Sequence, residues 1–229
     1  MAAIVLIHGA YQGGWIWQAV AKILRDAGHT VLAPSLDGCA ERGHALRHGI
    51  TNESHGAEIA ALLDFEDLRD AILVGTSCGG MVMAAAAERA GERIARLVFA
   101  DALALLHGEL LSDIVARPTA VTTELATGVA RQDAAGRLFA GLDPALRDWA
   151  AARTTLHPRM AMEAPMILPT FWQRAWDADV VWCRHSTNPP LAHQRRTAER
   201  LGARWHEIDT GHYPMLSTPG DLARIIMRG

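Results

Sequence analysis

Lysine is almost missing from this 229-residue chain: Lys22 stands alone among 22 basic residues. Basic charge as a whole is in slight deficit, 22 against 25 acidic residues, for a formal net charge of −3. No surplus of cations exists to neutralise phosphates, which excludes nucleic acid as a partner. The locally basic run "RHSTNPPLAHQRRTAER" reads as a solvated helix face. Cysteine is scarce too. Cys39, Cys78 and Cys183 form no CxxC pair and cannot all bridge one another, which fits small buried hydrophobes in a reducing compartment. The apolar start "MAAIVLIHGA" is too short to span a bilayer and lacks the basic flank and small-residue cleavage pattern of a secretory signal. A core strand, a cytoplasmic location and no membrane partner are therefore expected. No HExxH or comparable cluster is present, so no metal is expected. Arginine in place of lysine hints at a GC-rich bacterial genome.

What the chain does have is 50% hydrophobic and 21% charged residues, enough for one sizeable core. Six β-branched runs, at 3–7, 30–33, 71–75, 96–100, 179–183 and 203–208, alternate with helical patterns. "WQAVAKILRDAG" is closed by Gly28, and "ESHGAEIAALLDFED" is opened by a possible cap at Asn52. Strand and helix in alternation predict an α/β fold, a mostly parallel six-stranded sheet with helices on both faces. The alternation stops between 103 and 178, where prolines fall at 118, 144, 158, 165 and 169 among bulky residues such as Met160, Met162, Met166, Phe171, Trp172 and Trp176. This segment reads as a helical cap over the carboxyl ends of the strands, inserted into a core of 1–102 and 179–229.

Chemistry concentrates at "LVGTSCGGMV", residues 73–82. A G-x-S-x-G turn between a strand and a helix presents its serine, here Ser77, on a strained bend and needs small neighbours such as Gly75, Gly79 and Gly80. The plainer alternative is a tight structural turn. A nucleophilic serine also needs a base and donors for the developing oxyanion. The N–H of Cys78 at the helix start supplies one donor, and the N–H of Ala10, after the turn at Gly9 in "IHGAYQGGW", supplies the other. His8, just inside the strand end, reads as a brace for that loop.

Together "VLIHGAYQGGWIW", "LVGTSCGG" and "DTGHYPML" resemble the α/β-hydrolase superfamily. The likeness is to its small-capped esterase group, which holds plant methylesterases, hydroxynitrile lyases and related bacterial esterases. By that likeness the chain begins at the family's third strand. It also implies that His212, in the Gly-His loop after the last strand, is the base. The family's common acid, an aspartate soon after the penultimate strand, is absent: "VVWC" is followed by "RHSTNPP", with Ser186 at the expected place. Some superfamily members draw the acid from the neighbouring strand end, which here is Asp101, giving the order Ser77, Asp101, His212. Asp101 as a cap of the insertion, Asp209 or Asp177 as the acid, and a Ser-His dyad helped by Ser186 are the alternatives.

The implied reaction is hydrolysis of a carboxylic ester, thioester or lactone of a small apolar substrate through an acyl-enzyme, with no cofactor. Gly9, Trp172 and Tyr213 are the candidate substrate-binding residues. Hydroxynitrile lyases typically carry threonine where this chain has Gly9 and lysine where it has Tyr213, so lyase or cyclase chemistry ranks second. A small-molecule receptor on a hydrolase scaffold is the alternative outside catalysis, motivated by the missing acid. A homo-oligomer is compatible with the sequence.

Overall fold

The computed structural model describes residues 1–116 and 121–228; Pro118, one of the prolines counted in the inserted segment, lies outside them. In chain order the strands are β1 (Ala3–Ile7), β2 (Thr30–Leu32), β3 (Ala71–Ser77), β4 (Ile94–Ala102), β5 (Val121–Thr122), β6 (Ala126–Gly128), β7 (His157–Pro158), β8 (Ala178–Cys183) and β9 (Arg204–Ile208). Six of them form one wholly parallel sheet in the order β2-β1-β3-β4-β8-β9. All six expected strands are present, the longest differences being two extra residues at the end of β3 and at each end of β4.

The central strands β1, β3, β4 and β8 are largely apolar because both faces are covered, whereas the edge strand β9, RWHEI, is only partly buried. The helices are α1 (Gln18–Asp26), α2 (Asn52–Phe65), α3 (Gly79–Ala90), α4 (Ala134–Arg137), α5 (Pro144–Ala151), α6 (Arg159–Glu163), α7 (Leu191–Leu201), α8 (Pro214–Ser217) and α9 (Pro219–Met227). Period-two alternation splits each strand between two cores. Val5, Ile7, Leu97 and Phe99 join Ile59 and Leu63 of α2 and Met81 and Ala85 of α3. Ile4, Leu6, Val98 and Ala100 join Val20 and Leu24 of α1 and Leu222 and Ile226 of α9. Each such side chain contributes roughly 1.5–3 kcal/mol of burial, so the register of the sheet is strongly specified.

The helix α2 is capped by Thr51 rather than by Asn52. Thr51 Oγ1 accepts the N–H of Ser54 while Ser54 Oγ accepts the N–H of Thr51. Asn52 is instead buried, and its Nδ2 donates to Ala161 O at 2.6 Å, tying α2 to α6.

The segment between β4 and β8 departs from the purely helical expectation. Besides α4, α5 and α6 it holds a small antiparallel sheet, β5-β6-β7. Strands of two or three residues are too short to show an alternating pattern, and Pro158 is tolerated because β7 is an edge strand. Within the main sheet β1 sits between β2 and β3, so the loops leaving β1 and β3 diverge. The crevice at such a switch point is where open α/β sheets bind ligands.

Candidate active site

The bend after β3 is sharp because small residues permit it. Ser77 closes the strand with φ at +50°, in the left-handed region, and α3 starts two residues later. Such a conformation costs a non-glycine residue on the order of 1–3 kcal/mol and persists only where surrounding packing enforces it. Two close approaches supply that enforcement. A Cβ at Gly79 would sit 2.5 Å from Ile7 O, and one at Gly9 would sit 2.7 Å from Ser77 Cβ. The loop after β1 is thus pressed directly onto Ser77.

Ser77 is half-buried and opens into a cavity of about 340 Å³ lined also by Ala10, Gln12, Cys78, His212 and Tyr213. His212, in the loop between β9 and α8, brings an imidazole to the same cavity. Its Nδ1 lies 2.6 Å from Asp101 Oδ2. A carboxylate only accepts, so Nδ1 carries a proton, which in the neutral ring leaves the lone pair on Nε2.

Asp101 is wholly buried near the end of β4, and it too is left-handed, with φ at +47°. Its other oxygen, Oδ1, accepts from the N–H of Cys183 at 3.3 Å and from Gln194 Nε2 at 2.8 Å. These donors compensate a charge that water does not reach. The competing acids lie elsewhere. Asp209 pairs with His185 at 3.0 Å, Asp177 with Arg204 at 2.7 Å, and Ser186 Oγ donates to Asn188 O at 3.3 Å. Nor does Asp101 cap a helix of the insertion, since its carboxylate is taken up by His212, Cys183 and Gln194.

Behind the loop after β1, His8 is buried and bonded on both nitrogens: the N–H of Leu36 donates to Nε2 at 3.0 Å, and Nδ1 donates to Gly9 O at 2.8 Å. Burial lowers its pKa to about 4, so the ring is neutral. The histidine braces the loop and does not enter the cavity. In front, Gln12 Oε1 accepts the N–H of Gly9 at 3.1 Å, and the Gln12 side chain also hydrogen-bonds Tyr213, whose phenol is pushed up chiefly by burial. The Tyr213 ring lies 5.0 Å from that of His212.

Of the three expected substrate-binding residues, only Tyr213 lines the cavity. Gly9 has no side chain to offer and serves to admit Ser77. Trp172 is a correction: it donates from Nε1 to Leu105 O at 3.1 Å and packs edge-on to Phe171, because an apolar ring at the base of the insertion finds more burial in the core than at the cavity. Met166, Phe171 and Trp176 also pack into that core, whereas Met162 reaches the cavity. Sequence reasoning missed Gln194 and Gln12. For Gln194 a signal existed, since positions 194, 198 and 201 share the inward face of α7 and a glutamine among core residues requires a partner.

A family model described as "Alpha/beta hydrolase family" matches residues 4–225. A carbendazim hydrolyzing esterase of Nocardioides sp. is 35% identical over 179 residues, covering 73% of this chain and 74% of that protein. An alpha-hydroxynitrile lyase of Arabidopsis thaliana is 34% identical over 99 residues, 43% of this chain and 38% of that protein. Among solved structures, an extracellular alpha/beta-hydrolase from a Paenibacillus species superposes with a TM-score of 0.83 at 22% identity, over 99% of this chain and 98% of that one. No helix among the described residues is long and apolar enough to cross a membrane.

Proposed function

Because the chain belongs to the alpha/beta hydrolase family and is a hydrolase of the esterase kind, we propose that it cleaves a carboxylic ester through an acyl-enzyme formed on Ser77. The observation that carries this reading is the contact between His212 Nδ1 and Asp101 Oδ2, beside a serine held on a left-handed bend. Asp101 fixes the tautomer and orientation of the ring, leaving Nε2 to act as base.

In the first half-reaction Oγ of Ser77 attacks the ester carbonyl while its proton passes to His212 Nε2. The oxyanion is met by the N–H groups of Ala10 and Cys78, the latter at the positive end of α3. The intermediate collapses, the C–O bond to the alcohol breaks, and His212 returns the proton to the departing oxygen. Water then repeats the sequence on the acyl-enzyme, giving the acid and free Ser77. This mechanism calls on no cofactor.

Lyase chemistry fits less well. Threonine at position 9, expected of hydroxynitrile lyases, has no room on this backbone with a Cβ already 2.7 Å from Ser77 Cβ. The receptor reading was motivated by a missing acid, and Asp101 supplies one. The reading also treats 103–178 as a cap on a core of 1–102 and 179–229, although β8 already begins at Ala178. Thioester and lactone substrates use the same machinery. Three buried free cysteines support a reducing, cytoplasmic setting.

The test is hydrolysis of an activated aryl acetate. Steady release by the wild type that disappears in Ser77→Ala is expected; full activity in Ser77→Ala overturns the assignment.

A further inference from the structure

We propose that the natural substrate is an amphipathic ester bearing a second, anionic group such as a carboxylate, which Arg137 binds at the mouth of the cavity; this rests on the ester-hydrolase reading. The cavity is graded in polarity. Leu103, Leu111 and Met162 line it and are buried, whereas Arg137, Thr187 and Asn188 line it and are exposed. Among the described residues, no aspartate or glutamate lines it. Asp101 lies behind His212, wholly buried, with both oxygens engaged.

Arg137 ends α4 and differs from the arginines around it. Arg131 donates to Ala152 O, Arg147 pairs with Asp148 at 3.1 Å, Arg153 donates to Trp149 O at 2.9 Å, and Arg159 pairs with Glu163 at 2.8 Å. Arg137 makes no ion pair with any described residue, yet it faces the cavity. A planar guanidinium in a cavity also lined by hydroxyl and amide groups suits a carboxylate, which it can meet with two parallel hydrogen bonds. Residues 185–188 also line the cavity, and His212 takes its carboxylate partner from Asp101 and not from them.

The experiment compares matched substrates of the purified full chain. One pair places the anion on the acyl side, the p-nitrophenyl monoester of adipic acid against p-nitrophenyl hexanoate. The other places it on the alcohol side, 4-acetoxybenzoate against 4-acetoxybenzamide. In at least one pair the ratio of anionic to neutral kcat/KM should fall about two- to fivefold in Arg137→Gln, as for a solvent-accessible ion pair. It should fall further in Arg137→Glu and shrink with added salt in the wild type. Ratios unchanged in both variants overturn the proposal. Should no ester be turned over, the ester reading itself fails. The arginine is then still tested by the melting shift from hexanedioate against hexanediamide: a shift for the dianion alone, lost in Arg137→Glu, supports the site, and equal shifts in wild type and variant overturn it.

Discussion

His212 Nδ1 and Asp101 Oδ2 meet at 2.6 Å although 111 residues separate them in the chain. The contact joins the end of β4 to the loop after β9, two strands away across the sheet. A Ser-His pair without such a partner has no fixed tautomer. Asp101→Asn should therefore leave the melting temperature close to that of the wild type and lower kcat by roughly 10⁴-fold. Calorimetry and steady-state kinetics on the same preparation check both halves; an unchanged kcat moves the acid elsewhere.

Gln194 donates to the opposite oxygen of Asp101 at 2.8 Å from a fully buried position on α7. In Gln194→Leu, Oδ1 keeps only the 3.3 Å donor at Cys183. A hydrogen bond to a charged group contributes about 1.5–3 kcal/mol, so kcat should fall by about tenfold or more with little change in KM. Steady-state kinetics with an activated aryl ester, beside a melting curve on the same preparation, check this: a wild-type kcat, or a kcat loss matched by KM, would show that Gln194 does not hold Asp101 in place.

Much of the fold was open to reading from the sequence, for a physical reason. The central strands, covered on both faces, are largely apolar runs and announced themselves, as did the bend at Ser77 with its glycines, whereas β9, RWHEI, is legible only from its place in the alternation of strand and helix. The sheet β5-β6-β7 was not visible because strands of two or three residues have no period. Asn52 was read as a cap because it starts the helical pattern, yet Thr51 does the capping and Asn52 bonds Ala161 across 109 residues. Trp172 shows the same limit: a tryptophan at the base of a cap can face a cavity or a core, and only its partner at Leu105 O distinguishes them.

Gly9 faces Ser77 so closely that any Cβ there would lie 2.7 Å from Ser77 Cβ and 3.3 Å from its Oγ. Gly9→Ala must push the nucleophile and the loop of Ala10 apart. Displacement of reacting groups by about 1 Å costs on the order of 100-fold, and kcat should fall by that much. An alanine variant with wild-type kcat would show that the loop and Ser77 do not cooperate.

His8 and His193 both have pKa values lowered to about 4, chiefly by burial. A histidine that binds its proton less readily when folded than when unfolded stabilises the fold fully above its unfolded pKa, near 6.5. That stability is lost as pH falls through the folded value near 4. The unfolding free energy from urea titration should therefore decline between about pH 6.5 and 4, by up to about 3 kcal/mol for each histidine. Burial lowers His55 and His157 as well, so His8→Asn, which removes one of four such groups, should lower stability at neutral pH and make the decline shallower. Equal slopes in variant and wild type would assign the acid sensitivity to other groups.

The most direct measurement is trapping of the acyl-enzyme. Incubated with a slowly deacylating aryl carbamate, the wild type should gain one carbamoyl mass, mapped to the peptide containing Ser77, and His212→Ala should gain it far more slowly. Labelling on another residue, or undiminished ester turnover by a protein fully modified at Ser77, would contradict the account.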